Sequence, residues 1–237
     1  MKIGVSALAW TTKLSGVHLG LLPKIREQGL DGFEIPMCDP ASLAASDIRR
    51  VFEANDLECT ISAILPAGIN PISPDASVRK KSLTHLVQCV ETSAELGAHL
   101  MGGPLFAPIG YLPRRRRNVA EWNWAVEAFQ ELGDVLDAKQ MTLAIEPVNR
   151  SETFFLMTAS DAKAFTDAVN HPRVGVIIDT FHANIEERIS RTRYGHWDLA
   201  SSMFTPVRTI EDSSAPDTWI FPESSPPCEK LLTTATS

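Results

Sequence analysis

At 237 residues and 44% hydrophobic content, the chain can bury one large core without dividing into two domains. A net charge of −7 leaves no basic footprint, which argues against nucleic acid as the main partner and for a small polar substrate. The cysteines Cys38, Cys59, Cys89 and Cys228 show neither metal-ligand spacing nor a disulfide framework, so a reducing cytoplasmic setting is expected. No charged and then apolar leader precedes the first predicted strand. No apolar run nears the roughly 20 residues of a membrane span, so no membrane partner is expected.

Short β-branched runs alternate with longer amphipathic segments, the pattern of βα units around a parallel sheet. The spacing predicts strands over 3–9, 32–36, 58–65, 99–105, 142–148 and 174–180. Between them it predicts helices over 17–28, 42–55, 76–96, 119–139 and 158–169. Gly29, Gly97 and the turn Asn170, His171, Pro172 close helices, because a left-handed cap or a proline ends helical hydrogen bonding. The long loops 66–74 and 104–113 both follow strands. In a (β/α)8 barrel those are the carboxyl-end loops, where ligands bind. The predicted fold is an incomplete (β/α)8 TIM barrel of about six βα units over 1–187, followed by an irregular tail over 188–237. A doubly wound open sheet is the rival, but "SALAWTTKLSG" after the first strand offers no glycine-rich phosphate cradle.

Polar groups gather where apolar strands end. Glu146 closes "LAIE" ahead of Asn149, Arg150 and Glu152; Asp179 closes "VGVIID" ahead of His182 and Asn184. An acid at the inner end of a buried strand is unfavourable unless it is paired or bound to a cation. Two such acids on successive strands can share one divalent metal, and oxygen ligands favour Mn2+, Mg2+ or Co2+ over a structural zinc. The competing reading pairs Glu146 with Arg150 and uses Asp179 as a helix cap, and spacing alone leaves both open. His18, His85, His99 and His171 have no companion at ligand spacing and read as structural or surface groups. Gly102 and Gly103 fit either a close backbone approach to a ligand or a simple turn. The arginine run 114–117 fits a solvated helix start or a phosphate or partner contact. Trp122 and Trp124, two apart on one helix, cannot both face the core, which leaves one for a homo-oligomer interface.

As a set, "GLDGFEIPMCDP", "AELGAHLMGGPL", "LAIEPVNRSETFFL" and "VGVIIDTFHANIEE" resemble the sugar phosphate isomerase/epimerase family of xylose isomerase-like barrels. The likeness is greatest to its D-tagatose/D-psicose 3-epimerase branch. It implies a metal-dependent isomerase acting on a small ketose or sugar phosphate, with Mn2+ the expected ion. It also implies four metal ligands from successive strands: a glutamate, an aspartate, a histidine and a second glutamate. Glu146 matches the first and Asp179 the second; Glu152 and His182 match positions that hold the sugar's hydroxyl and carbonyl oxygens. In that chemistry a metal on O2 and O3 stabilises the enediolate left when the C3 proton departs. Two carboxylates on opposite faces of C3 then remove and return the proton. Glu146 supplies one face, and nothing after Glu187 matches the third or fourth ligand. The alternative is a non-catalytic remnant of the same barrel that binds sugar or a partner protein.

The tail reads differently when the third base of each codon is joined to the first two of the next. Met203 and Phe204 then force valine, and their neighbours permit His-Val-His. Trp219 and Ile220 force aspartate within a permitted Gly-His-Leu-Asp-Phe. These match the family's seventh and eighth unit motifs in order, so 188–237 is expected to be a frameshifted tail. Two ligands would then be missing, the activity impaired, and strands one and six left with unpaired edges.

Overall fold

The structure, a computed structural model, describes residues 2–187 together with the backbone of 204–206 and 219–222. Six parallel strands follow one another: β1 (Lys2–Ser6), β2 (Gly32–Met37), β3 (Glu58–Ala63), β4 (Leu100–Gly103), β5 (Thr142–Ile145) and β6 (Val174–Val176). Helices α1 (Gly16–Leu19), α2 (Leu22–Glu27), α3 (Ala45–Ala54), α4 (Ala76–Glu95), α5 (Val119–Lys139) and α6 (Ala159–Val169) connect them, and α7 (Thr180–Glu186) follows β6. These are the six expected βα units of a TIM-barrel wall.

Alternation along the strands sorts the two faces of the sheet. Ile35, Ile61, Met101, Leu143 and Val174 stand in one register row on the helix side. They are buried with Leu86 of α4 and Phe129, Leu132 and Leu136 of α5. Each such burial stabilises the fold by about 1.5–3 kcal/mol. The neighbouring row, Pro36, Ser62, Gly102, Ala144 and Gly175, faces the barrel interior and carries little bulk. Inside, Ala144 and Ile177 form a separate small cluster with Leu100. Bulk is thus concentrated on the helix side of the wall.

Helix α5 occupies its predicted span because Asn118 and Glu121 cap it reciprocally. The predicted helix 17–28 is instead two, α1 and α2, parted at Gly20, with Pro23 in the first turn of the second. Strands 142–148 and 174–180 stop early, at Ile145 and Val176. Pro147 cannot donate to a ladder, and Asp179 turns the chain into α7. Gly103 has φ 141°, and a Cβ there would lie 2.1 Å from the Ala63 carbonyl oxygen. Its close approach is therefore to the neighbouring strand.

The sheet also continues past β1. A strand β7 (Phe204–Pro206) pairs antiparallel with β8 (Trp219–Pro222), and β8 pairs parallel with β1. The bare edge expected on β1 is therefore covered, and the tail is not wholly irregular, since an unpaired edge accepts any backbone of suitable extension. β6 and β7 form the two ends of the sheet. The shifted-frame motifs and Cys228 otherwise lie outside the described residues. Cys38, Cys59 and Cys89 are free thiols, and no described helix is long and apolar enough to cross a membrane.

Candidate active site

Glu146 lies two residues beyond Ala144 and Asp179 two beyond Ile177, so both acids emerge on the inner side at the carboxyl ends of β5 and β6. One ligand atom from each of Glu146, Asp179 and His182 lies within 4.8 Å of the others. Asp179 is also the N-cap of α7: its Oδ1 accepts the Phe181 N–H at 2.7 Å. Its Oδ2 stands 3.8 Å from His182 Nε2. The oxygen that caps α7 and the one that faces His182 are thus the two different oxygens of one carboxylate. Arg150 pairs with Glu186 rather than Glu146, through Nε and Nη2 at 2.8 Å each. That hydrogen-bonded pair holds the Glu186 carboxyl below its ordinary range and ties α7 to the loop after β5.

His182 is buried, and its Nδ1 accepts the Asn149 backbone N–H at 3.2 Å. A backbone N–H can only donate, so Nδ1 is the bare nitrogen and the ring proton sits on Nε2, the nitrogen that faces Asp179. Asn149 Nδ2 is 2.9 Å from the same Nδ1 and 3.0 Å from Glu152 Oε1, which brings Glu152 to the rim as well.

The loop carrying these groups is firmly seated. Val148 N–H reaches the Leu156 carbonyl at 3.2 Å, and Gly110 N–H reaches the Glu152 carbonyl at 2.8 Å. Phe155 is fully buried and stacks on Phe106 with ring centroids 5.6 Å apart. Arg117 donates to the Phe155 carbonyl and to Asp161, and lies 4.9 Å over the Trp122 ring. Arg115 grips the buried Glu121. Two of the four arginines thus clamp the start of α5, Arg117 half-buried against the loop after β5 and Arg115 exposed to solvent over Glu121. Trp122 packs on Phe165, and Trp124, only partly buried, carries Arg79 4.3 Å from its ring centre. His18, His85 and His171 serve locally, against Ser15, Cys89 and Asp137 with Arg173.

Glu34 is absent from the residues expected at the site from sequence alone. The register sets Ser6, Glu34 and Thr60 side by side across β1, β2 and β3, on the inner side. Burial pushes the Glu34 carboxyl up to about 7; a hydrogen bond from Ser6 opposes this and the charge on Asp179 adds to it. Its signal in the sequence is an acid in the middle of "GFEIPM", where alternation points it inward.

Parallel strands wound with helices, with acids converging at the carboxyl ends, define a TIM-barrel site. The family described as xylose isomerase-like TIM barrel matches residues 22–209, and the chain belongs to it. It is 30% identical over 211 residues to the ketose 3-epimerase of Arthrobacter globiformis, covering 87% of this chain and 67% of that protein. To the D-psicose 3-epimerase of Ruminiclostridium cellulolyticum it is 28% identical over 192 residues, covering 79% and 65%. The crystal structure of D-allulose 3-epimerase from Methylomonas sp. in complex with D-allulose matches with a TM-score of 0.73 at 26% identity, covering 79% of this chain and 65% of that one. The chain thus spans about two thirds of the length of the curated relatives it matches.

Proposed function

We propose that the site is a metal-dependent ketose 3-epimerase centre acting on a small ketose or sugar phosphate, with Mn2+ preferred and Co2+ or Mg2+ able to substitute. The observation that carries this reading is the convergence of Glu146, Asp179 and His182 within 4.8 Å at the mouth of a barrel whose relatives are named ketose 3-epimerases. Carboxylate oxygens of Glu146 and Asp179 would hold the ion. His182 would not, because the nitrogen it turns toward them carries the proton. A bound divalent ion would supply Lewis-acid stabilisation of charge on the sugar's C2 and C3 oxygens. Glu146 takes the C3 proton, leaving an enediolate. His182 donates its Nε2–H to a sugar oxygen, and the Glu152 carboxylate accepts from a sugar hydroxyl.

Glu146 serves one face of C3. The group matching the opposite face is missing from the printed tail, which we attribute to a frameshift near Arg188 that leaves a partial barrel over 1–187. C3 proton exchange should therefore outpace inversion, and metal binding should be weak. Bases across 188–237 that do not spell His-Val-His and Gly-His-Leu-Asp-Phe in the shifted frame would remove the frameshift. Mn2+ binding followed by electron paramagnetic resonance tests the ligand assignment. Affinity should fall about 10-fold or more in E146Q and D179N and stay within about 2-fold in H182Q. Unchanged affinity in E146Q would overturn it. Metal binding without proton exchange would instead favour a sugar- or partner-binding remnant.

A further inference from the structure

We infer that Asn149 is the positioning residue of this site, fixing which nitrogen of His182 carries the proton and where the Glu152 carboxylate points. The inference rests on the function proposed above. Asn149 is 1% exposed, and its side-chain amide is engaged on both sides. Oδ1 accepts the Ser151 N–H at 2.9 Å and the Ser151 hydroxyl. Nδ2 lies 2.9 Å from His182 Nδ1 and donates to Glu152 Oε1 at 3.0 Å.

The Ser151 N–H settles the orientation of the amide. A backbone donor requires an oxygen opposite it, so the NH2 group is the end that faces His182 and Glu152. With the Asn149 backbone N–H also aimed at Nδ1, that nitrogen receives two donors and cannot hold a proton of its own. The imidazole is left as a donor through Nε2 toward the acids. Without the side-chain amide at 2.9 Å, Nδ1 keeps only the longer 3.2 Å backbone N–H as a donor, and an acceptor in the amide's place draws the ring proton to Nδ1, leaving a bare Nε2 as a competing ligand. One amide thus orients two substrate-facing groups that come from different elements, the loop after β5 and helix α7.

The substitution Asn149→Asp separates this role from a structural one. It keeps the shape and the oxygen that Ser151 needs, and replaces the donor facing His182 with an acceptor. Long-range 1H–15N spectra of the full chain labelled in histidine, with His182 assigned through H182Q, read the tautomer directly. The wild type should show a bare Nδ1 and a protonated Nε2. N149D should carry a proton on Nδ1 and lose C3 proton exchange by on the order of 100-fold. A protonated Nδ1 in the wild type overturns the inference whether or not N149D folds, and so does an unchanged tautomer in folded N149D. If the tautomer moves as expected while the wild type exchanges no C3 proton, the positioning role stands and the proposed activity fails.

Discussion

Replacing Glu34 by glutamine probes the electrostatics of the inner wall. In the folded chain burial pushes the Glu34 carboxyl from 4.5 to about 7, with the Ser6 hydrogen bond opposing and the Asp179 charge adding. A rise of that size corresponds to about 3 kcal/mol. This is a ceiling, because the half-buried side chain keeps some surface open to the barrel interior. The sign follows from counting protons. Between 4.5 and about 7 the folded state still holds a proton that the unfolded state has released. Stability from Glu34 is therefore fully present below the unfolded value and is lost as pH rises through the folded one. Glutamine stays neutral throughout and keeps the shape. E34Q should be more stable than the wild type by up to about 3 kcal/mol near pH 8 and nearly equal to it near pH 4.5. Urea titrations in a chelator, followed by tryptophan fluorescence at several pH values, measure the difference, in which all other titrations cancel. A wild-type minus variant difference that does not change across that range would refute the reasoning.

Gly103→Ala should destabilise by about 3 kcal/mol or prevent folding, since its Cβ would meet the Ala63 carbonyl at 2.1 Å; a variant melting within a degree of wild type would contradict this. Arg117→Ala should lower stability by about 2 kcal/mol in urea titrations, because it strips partners from Asp161 and the Phe155 carbonyl together. The stability that Glu186 gains from Arg150 is present above the ordinary carboxylate range and is lost as pH falls through the lowered folded value. Arg150→Ala should flatten that acid limb of the melting temperature, and an unchanged acid slope would rule the pair out as its source.

Much of the wall was legible because a parallel sheet leaves a plain record, with apolar runs for buried strands, a capped span for α5 and acids where β5 and β6 end. Once those strands are neighbours, Glu146 and Asp179 have to converge. What the one-dimensional record hid depends on loop paths. Whether Arg150 turns to Glu146 or to Glu186 is decided by where α7 lies, beyond α6 and β6 in the chain and out of reach of local spacing. Asp179 caps α7 with one oxygen and still turns the other toward His182, because a carboxylate has two. Glu34 went unremarked since an isolated acid in a short strand looks like a solvent-facing residue until the sheet curves and makes that face the interior. The pairing of β8 with β1 was invisible to pattern, because backbone hydrogen bonds at an edge carry no side-chain code.

The central claim is that Glu146 removes the C3 proton of a ketose held beside Asp179, His182 and Glu152. Its most direct test is deuterium uptake: D-fructose or D-tagatose incubated with the chain in D2O and excess Mn2+, then stripped of metal and read at C3 by mass spectrometry and NMR. Metal-dependent uptake at C3, faster than formation of the epimer and reduced about 100-fold or more in E146Q, is the predicted result. No deuterium at C3 with either the chain as printed or a version restored to the shifted frame would contradict the account.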